Sequence, residues 1–453
     1  MFLKAVKRFH HTNRLILWVI LGLGFGLMTL IHANRISFSF FDVLQTKTQL
    51  NTQDNVALIV VDQKALDQFS SKKGLVFPFP RELFGAVARV AKQFSARAIF
   101  YDILFTEPSG YGVSDDENFA ELLRESNIPV ILPDRGPEGS IRRPVATIVP
   151  AVSEFAQVSS INDSDGIYRR YLGGNSVANV TTKLLMNSYP NPAPDFLRYY
   201  SESAFPHKNL FEILTTYDEI EDGVPVSSDF SDFKYKVWVV GYSAPGLHDL
   251  KPTPIDQRSP GFIIPATGLA NALSGHGIQA LSLGFSSALI FLSAVLAISV
   301  VKLTSTPSWT IVALSSVLLV MPTCLSIAFW FYNYWVSPLP LFAAGICAGG
   351  GELLYVYRTV WREQSLMANA LKNSMSANMV ELVRSGHVKV SRFGELKPVT
   401  VLFSDLVGFT EISERLSPHD LVLVLNGYFD EVVNLVTTGQ GYVDKFIGDA
   451  VMA

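Results

Sequence analysis

The amino-acid sequence predicts a multidomain membrane protein that combines an α/β domain, four transmembrane helices and a partial α+β domain. Two observations lead to this prediction. Hydrophobic residues make up 49% of the 453-residue chain, which is at the upper end for a soluble protein. They are concentrated in four long runs with very few charged residues, and a stretch between the first and second runs alternates strand-like with helix-like segments.

The first apolar run, residues 15–31, predicts a transmembrane helix. At about 1.5 Å per helical residue it nearly spans a hydrocarbon core of about 30 Å. A cleaved signal peptide is the alternative, but no small-x-small cleavage site follows the run, since the next residues are His32, Ala33, Asn34 and Arg35. Three further spans are predicted at residues 281–301, 309–331 and 338–357.

Basic residues flank the predicted spans on one side only, and they predict the orientation of the chain. Basic flanks tend to stay in the cytoplasm. Residues 36–280 are therefore expected to be extracytoplasmic, and everything after residue 357 cytoplasmic, in a multi-pass protein of the inner or plasma membrane. The basic flanks are Lys4, Lys7, Arg8 and Arg14 in the tail of residues 1–14, Lys302 after the second span, and Arg358 and Arg362 after the fourth.

The long segment between the first two spans predicts an α/β domain with a largely parallel sheet, because its strands are separated by helices. Asp62 and Asp102 lie toward the carboxyl ends of two predicted strands, where open α/β sheets bind ligands. Each could equally cap a following turn or helix, and both interpretations stay open here. The predicted strands are residues 55–62, 96–105, 128–132 and 235–241, and the predicted helices are residues 80–94 and 116–125.

Several motifs in this segment occur in the same order as in a known family. They are ALIVVDQKAL, FPFPREL, ARAIFYDILFTEP, SDDENFAELL, DSDGIYRR, and GYSAPGLHDLKPTP with PGFIIPATGLANAL. Together they resemble the extracellular CHASE sensor domain of the second class. The resemblance implies an extracytoplasmic sensor for an unknown ligand, followed by three membrane helices and an intracellular signalling domain. The family often has His where this chain has Pro265 and Ala266, so no ligand role is carried over there.

A connecting helix is predicted after the fourth span, within residues 358–390, and a second interpretation stays open. Apolar and small residues recur there at mixed three- and four-residue spacing. This pattern fits a helix that pairs with its copy in a dimer, and it fits equally an amphipathic helix that packs on its own domain. The residues concerned are Leu366, Ala370, Asn373, Ala377, Val380 and Val383.

The C-terminal segment, residues 395–453, predicts a site for phosphate and metal chemistry. Residues 397–410 read as a strand that ends at Asp405 and turns at Gly408 into a short helix, where backbone N–H groups can receive an anion. Asp449 follows Gly448 in a predicted hairpin turn. Two carboxylates on one sheet can converge on a pair of divalent cations, as in-line phosphoryl or nucleotidyl displacement requires.

Between these two motifs the sequence predicts one amphipathic helix. It begins at Ser417 with Pro418 at its first position, and Gly439 and Gly441 end it. One face is apolar and is expected to be buried in the domain. The residues of this face are Leu421, Val424, Leu425, Tyr428, Val432 and Leu435.

The stretches VTVLFSDLVGFTEIS and DKFIGDAVMA resemble the first sixty or so residues of a class III nucleotide cyclase catalytic domain. The resemblance implies a ferredoxin-like fold and two Mg²⁺ or Mn²⁺ ions per site. It assigns the metals to Asp405, Asp449 and the main chain of Leu406, and it assigns Lys445 to the base. Glu411 and Asp444 are interpreted as surface charges. The main-chain groups expected to bind the triphosphate are those of Leu406, Gly408, Phe409 and Thr410.

Lys445 favours ATP as the substrate, because adenine has an acceptor at N1, where guanine has a donor, and an ammonium group can only donate. In the family that the segment resembles, the site forms between two chains, so a homodimer is implied in which Lys445 serves the partner's nucleotide. An Asn–Arg pair that orients ribose and stabilises the transition state comes later in that family. The natural protein is therefore expected to continue past Ala453, and a chain ending there is expected to be inactive alone.

The predicted function is a receptor adenylate cyclase that converts ATP to cyclic AMP and pyrophosphate. A non-catalytic receptor or dimerisation subunit, and a guanylate cyclase, are the alternatives; no GGDEF-like hairpin supports a diguanylate cyclase. The net charge of −4 gives no electrostatic support to a nucleic-acid partner. Only two cysteines are present, Cys324 and Cys347, and both lie in apolar runs, so neither a disulfide framework nor a cysteine metal site is expected.

Overall fold

The computed structural model describes residues 2–32, 34–134, 143–158, 160–188, 193–247, 249–304, 307–372 and 398–453. These form two compact units, Met1–Gly350 and Gly351–Ala453. The helices are α1 (Phe2–His32), α2 (Asn34–Lys47), α3 (Gln63–Gln68), α4 (Glu82–Gln93), α5 (Val113–Ser126), α6 (Val177–Met186), α7 (Leu210–Glu221), α8 (Ile263–Ser274), α9 (Leu283–Leu303), α10 (Pro307–Tyr332), α11 (Pro338–Lys372), α12 (Phe409–Arg415) and α13 (Pro418–Thr438). The strands are β1 (Val56–Val61), β2 (Ala98–Tyr101), β3 (Val130–Pro133), β4 (Glu154–Ala156), β5 (His207–Asn209), β6 (Val237–Tyr242), β7 (Leu250–Lys251), β8 (Ser259–Pro260), β9 (Gln279–Ala280), β10 (Tyr334–Trp335), β11 (Phe403–Ser404), β12 (Lys445–Ile447) and β13 (Ala450–Met452).

A six-stranded sheet in the order β4-β3-β2-β6-β1-β5 forms the centre of the first unit, and every neighbouring pair in it is parallel. This confirms the predicted α/β domain. Strand β6 shows why its strands read as continuous apolar runs. Trp238 and Val240 face a core with α4, α5 and α7, while Val237 and Val239 face a second core with α6 and α8. Both faces of the sheet are buried, as expected for parallel strands.

Side-chain caps fix where several helices of this domain begin. The carboxylate of Asp115 accepts hydrogen bonds from the N–H groups of Arg81 (2.8 Å) and Glu82 (3.0 Å) and thus caps α4 from another helix. Ser176 and Asn209 cap α6 and α7 from the residue before each helix. Caps of this kind satisfy N–H groups that have no partner within the helix.

Helices α1, α9 and α11 pack together around a shared apolar cluster. Two glycines of α1 permit this close approach. A Cβ atom placed on Gly26 would come within 2.5 Å of Ile290 Cγ2 in α9, and one placed on Gly22 would come within 3.0 Å of the Ala344 carbonyl in α11. Small residues at helix contacts are typical of membrane bundles, where backbones approach closely.

Within the part of the chain that the structure describes, four helices are long and apolar enough to cross a membrane by length and composition, and they differ in part from the predicted set. Three of them fall where spans were predicted. The first predicted span, residues 15–31, lies in a shorter apolar stretch of α1, Arg14–Leu30, and it stays a prediction. The fourth qualifying helix was interpreted from the sequence as amphipathic. The four are Leu283–Leu303, Trp309–Tyr332, Pro338–Thr359 and Pro418–Thr438.

The α/β domain is also joined to the connection between α10 and α11. Strands β9 and β10 pair in parallel, with Gln279 opposite Tyr334 and Ala280 opposite Trp335. The Gln279 N–H donates to the Asn333 carbonyl at 2.9 Å. The segment that leads into α9 is therefore hydrogen-bonded to the segment that leads into α11.

The second unit contains an antiparallel sheet in the order β11-β13-β12, together with α12 and α13. The strand predicted from residue 397 to Asp405 is shorter than expected, since β11 comprises Phe403–Ser404 and the pairing extends by one residue through the backbone hydrogen bonds of Leu402 with Ala453. Lys397 lies outside the described residues. Of the predicted connecting helix, α11 includes Leu366 and Ala370, whereas Asn373, Ala377, Val380 and Val383 lie outside the described residues.

Helix α13 begins where the sequence predicted, but its apolar face is not buried. Ser417 Oγ accepts from the Asp420 N–H at 3.2 Å, and Pro418 occupies the first turn. No residue of α13 is buried, and Val424 and Leu435 are 45% and 70% exposed. The predicted burial of this face is wrong for those two residues, because periodicity identifies an apolar face without identifying what covers it.

Candidate functional site

Asp62 caps a helix of the α/β domain. Its side chain accepts a hydrogen bond from the Ala65 N–H at 2.7 Å, one turn into α3. The capping interpretation left open by the sequence is therefore the one that the structure supports.

Asp102 follows β2, at the same edge of the sheet. Its N–H donates to the Val240 carbonyl at 2.8 Å, which holds it beside the end of β6. Burial raises the pKa of its carboxyl to about 6, while nearby Lys251 lowers it and Asp249 raises it. Asp102 is thus a titratable group at the edge of a parallel sheet where ligands commonly bind.

The β12–β13 hairpin of the second unit positions Asp449. Lys445 lies opposite Met452, Phe446 opposite Val451 and Ile447 opposite Ala450, which leaves Gly448 and Asp449 as a two-residue turn. Gly448 has φ +67°, a value that glycine adopts without strain and that such tight hairpin turns require. The predicted turn is confirmed.

Strand register brings Asp405 and Asp449 to the same end of the sheet. Strand β11 pairs with β13 through Phe403 opposite Met452 and Ser404 opposite Val451. Continued by one residue, this antiparallel register places Asp405 opposite Ala450, next to Asp449. The backbones of the two aspartates that the sequence singled out therefore lie at the same end of this sheet.

Helix α13 covers one face of this sheet and leaves the other open. Ser404 Oγ and Tyr428 Oη lie 3.0 Å apart, and the rings of Phe429 and Phe446 lie 4.4 Å apart. Ser404 and Phe446 therefore face the helix. Since side chains alternate along a strand, the neighbouring Asp405 and Lys445 belong to the open face. The sequence reasoning did not identify the Tyr428 contact, although adjacent aromatic residues on an amphipathic helix are the available signal for it.

The turn after Asp405 has the shape expected of a strand-to-helix connection. Gly408 has φ +77° and precedes α12, and no side chain caps that helix. Phe409 donates its N–H to the Leu406 carbonyl at 3.4 Å, and the Leu406 N–H lies 3.2 Å from Asp405 Oδ1. Thr410 lies in the first turn of the helix.

Lys445 forms an ion pair with the residue before it, Asp444. Its ammonium group lies 3.4 Å from Asp444 Oδ2, and the two side chains are 57% and 44% exposed. Asp444 is an exposed surface charge, as predicted, and an exposed pair of this kind contributes little to stability. Lys445 begins β12 whereas Asp449 lies beyond its other end. At about 3.4 Å per residue, their backbones are separated by roughly 10 Å or more.

This arrangement provides carboxylate ligands for divalent cations, but it does not provide a complete coordination sphere. Asp405 and Asp449 provide two carboxylates, and hard cations such as Mg²⁺ bind carboxylates together with phosphate oxygens from a substrate. Among the residues that the structure describes, no group of three or more His, Cys, Asp or Glu side chains gathers as a metal site. The residues present therefore fit metals that are bound together with a phosphorylated substrate.

Comparison with known families accounts for both parts of the chain. A family model of the CHASE2 domain matches residues 15–303, which is more than half of the chain. The chain belongs to the CHASE2 family. The CHASE2 domain is followed by a match to the adenylate and guanylate cyclase catalytic domain over residues 392–453. Both resemblances read from the sequence are confirmed, and the second unit contains a cyclase catalytic segment.

Curated relatives match short stretches of this CHASE2 protein, and the chain spans only a small part of the length of the first of these relatives. A receptor-type guanylate cyclase, gcy-8, of Caenorhabditis elegans is 49% identical over 53 residues, 12% of this chain and 5% of that protein. The terminal-differentiation-specific adenylate cyclase of Dictyostelium discoideum is 40% identical over 57 residues, 13% of this chain and 3% of that protein. Adenylate cyclase 1 of Rhizobium meliloti is 39% identical over 77 residues, 16% and 11% of the two chains. No solved structure matches the chain.

Proposed function

We propose that this protein is a membrane receptor adenylate cyclase that converts ATP to cyclic AMP and pyrophosphate under control of its CHASE2 domain. One observation carries the proposal. Asp405 and Asp449 lie at the same end of one sheet, within the segment that the cyclase family model matches. Relatives named as guanylate cyclases and as adenylate cyclases both match this chain, so the proposal of ATP as the substrate depends on Lys445.

The proposed chemistry is attack of the ATP 3′-hydroxyl on the α-phosphorus. A new O–P bond forms, the bond to the β-phosphate oxygen breaks, and pyrophosphate leaves while the hydroxyl proton is lost. Two divalent cations, Mg²⁺ or Mn²⁺, would neutralise phosphate charge and activate the hydroxyl. Asp405, Asp449 and the Leu406 carbonyl would hold them, and the main chain from Gly408 to Thr410 would bind the triphosphate.

Lys445 is proposed to read the adenine of a nucleotide bound at the partner's aspartates in a homodimer. Lys445 begins β12, while Asp449 lies beyond the far end of that strand. The two residues are therefore too far apart to contact the same end of one nucleotide. Both Lys445 and Asp405 belong to the open face of the sheet, where Phe403 and Ile447 are 64% and 52% exposed. An exposed apolar surface beside the site residues suits contact with a second chain.

The proposal is tested by product formation in the full-length protein reconstituted in lipid with Mg²⁺ or Mn²⁺. Asp405→Asn should reduce cyclic AMP synthesis by about 100-fold or more, because an amide lacks the charge that holds a divalent cation. Glu411→Gln, a nearby exposed charge, should retain wild-type activity. Equal activity of the two variants would refute the metal assignment. A full-length protein without product would favour the non-catalytic receptor subunit.

The shared site is tested by mixing. Asp405→Asn and Lys445→Ala are each expected to be inactive, but a dimer of the two variants would contain one site with both residues intact. Mixed dimers should therefore recover up to about half of the wild-type activity per dimer. No recovery from variants that demonstrably dimerise would contradict a site made by two chains.

A further inference from the structure

The CHASE2 domain contacts the membrane bundle at a cluster of four aromatic residues and one arginine, here called the junction. Its members are Phe41, Phe196, Arg198, Phe329 and Trp335. The Phe41 ring of α2 lies 5.3 Å from Phe196, 5.5 Å from Phe329 and 5.0 Å from Trp335. Phe196 belongs to the CHASE2 domain, whereas Phe329 and Trp335 belong to the last turn of α10 and to the connection after it. The junction therefore joins three parts of the chain.

Arg198 is the charged member of the junction, and its backbone is fixed to the CHASE2 domain. The Arg198 N–H donates to Asn271 Oδ1 at 2.7 Å, and Asn271 Nδ2 donates to the Arg198 carbonyl at 3.0 Å. Asn271 lies in α8 and is itself buried. This pair of hydrogen bonds makes the Arg198 backbone part of the rigid domain.

The guanidinium of Arg198 reaches out of the domain and binds the end of α10. Its Nη1 donates to the Phe329 carbonyl at 3.3 Å and to the side-chain oxygen of Asn333. Nη2 donates to the Thr48 carbonyl at 3.4 Å, at the end of α2. The guanidinium carbon lies 5.6 Å from the centre of the Phe329 ring.

Arg198 has no carboxylate partner among the residues that the structure describes, although only 3% of it is exposed. Burial lowers its pKa, but the guanidinium is still protonated at neutral pH because its ordinary pKa is far higher. The contrast is with Arg169, which is paired with Asp42, Asp163 and Asp165. A buried charge needs compensation, and for Arg198 it comes from oxygen dipoles.

The end of α10 supplies that compensation. The carbonyls of the last helical turn have no partner within the helix and carry the negative end of its dipole. Asn333 follows the helix in the left-handed conformation, with φ +54°, which is the usual position of a C-terminal cap residue. A shift of the CHASE2 domain away from α10 would leave a buried cation without its partners.

We propose that Arg198 is the positioning residue through which the CHASE2 domain holds the end of α10, so that the domain and the α10–α11 hairpin move together. The physical link concerns this chain alone. Its regulatory consequence rests on the proposed cyclase function, because α11 continues past the apolar span to Lys372 and the cyclase segment follows it in the sequence. The signal from the domain would then enter the hairpin at Phe329 and Asn333.

The test is a distance distribution between spin labels in the full chain, reconstituted in lipid nanodiscs. Labels at Glu121→Cys on α5 and Phe331→Cys on α10 use two exposed positions, with Cys324 and Cys347 replaced by Ala. The wild-type distribution should be narrow. Arg198→Met should broaden it about twofold or more or add a second population, because it removes the charge and its hydrogen bonds while retaining a long side chain.

Arg170→Met is the matched control. The Arg170 guanidinium also lies over the Phe196 ring, at 5.4 Å, but its side chain is 43% exposed and paired with Asp163. It should leave the distribution narrow. Asn333→Gly removes one acceptor on the α10 side, the Asn333 side chain, and leaves the Phe329 carbonyl in place. Because glycine also favours positive φ, this variant should give an intermediate broadening. This second variant keeps the test decisive if Arg198→Met fails to fold.

An unchanged distribution in folded Arg198→Met or Asn333→Gly, or equal broadening in Arg170→Met, would overturn the proposal. The distance measurement needs no enzyme activity, so it remains valid if the chain proves not to be a cyclase. Conversely, Asp405→Asn should abolish cyclic AMP synthesis in the full-length protein and leave the distribution narrow. The two proposals can therefore fail separately.

Discussion

At the scale of single residues, the burial of the Asp102 carboxyl predicts how the free energy of unfolding depends on pH. Its folded pKa of about 6 lies above the value of about 3.9 for an unfolded chain. Between these values the folded protein binds more protons than the unfolded chain, so the free energy of unfolding falls as pH rises through this window. Ionisation of Asp102 therefore opposes folding above about pH 6.

Asp102→Asn should remove this pH dependence. Relative to the variant, the wild-type protein should lose up to about 3 kcal/mol of unfolding free energy between pH 4 and pH 7. Denaturant unfolding followed by circular dichroism across this range measures the difference. Glu121→Gln changes an exposed carboxylate on α5 and should follow the wild-type curve. Parallel curves for wild type and Asp102→Asn would contradict the assignment.

A second prediction at this scale concerns Lys445 and the preference for ATP over GTP. In the full-length protein, Lys445→Glu should lower kcat/KM for ATP and raise the preference for GTP by about tenfold, because a carboxylate accepts from the guanine N1–H where an ammonium cannot. The ratio of the two kcat/KM values is the measurement. Asp444→Asn, which removes the ion-pair partner and keeps the lysine, should retain the preference for ATP. An unchanged ratio in Lys445→Glu would remove Lys445 from base recognition.

Some site residues could be found from the sequence and others could not, for a physical reason. Asp449 was predictable because a Gly-Asp turn between two apolar strands is a local signal. The partners of Arg198 were not, because Thr48, Asn271 and Phe329 are distant along the chain and meet only after folding. Asp62 shows a third case, since its position at a strand end fits a cap and a ligand equally well.

At the scale of elements, the Arg169 cluster holds α2 against the segment of the CHASE2 domain that contains Asp163 and Asp165. Arg169 Nη2 lies 2.7 Å from Asp42 in α2 and 2.7 Å from Asp165, and Nη1 lies 3.2 Å from Asp163. Burial and the Arg169 side chain act in opposite directions on the pKa of Asp42, and burial prevails, so its pKa is raised. Losing the arginine would leave three carboxylates close together.

Arg169→Met should therefore destabilise the protein by about 3–5 kcal/mol, because one partner of a buried charge network is removed. Arg170→Met, the neighbouring and half-exposed arginine, should cost less than about 1 kcal/mol. Chemical unfolding in a fixed lipid mixture compares them. Adding Asp42→Asn to Arg169→Met should restore part of the loss. Similar stability of the two arginine variants would show that the cluster contributes little.

The strands differ in how well the sequence identified them. β1, β2, β3 and β6 were predicted because they are buried on both faces and read as apolar runs. β4 and β5, the two edge strands, were missed. Each has three residues, with Glu154 exposed in one and His207 exposed in the other, so neither has an apolar pattern that differs from a loop.

At the scale of the whole molecule, the predicted topology is tested by reporter fusions. A reporter at Gly275 should be extracytoplasmic and one at Asn373 cytoplasmic, because the basic residues lie beside the opposite ends of the spans. A reporter at Ala453 should agree with Asn373. Helix α13 is apolar enough to span a membrane, but its exposed Asp430 and Glu431 would be costly in lipid. Opposite signals at Asn373 and Ala453 would show that α13 crosses.

The pairing of β9 with β10 has a consequence for protein engineering. A receptor chimaera is usually designed by exchanging one contiguous segment for another, here residues 34–280. That segment ends at Gln279 and Ala280, whose strand partners Tyr334 and Trp335 come after the two helices α9 and α10 in the sequence. A donor domain grafted without its own connection between α10 and α11 would lack the strand that pairs with its β9. It would also lack the residue at position 333 that Arg198 binds. The transplantable unit is therefore discontinuous, and it includes both segments.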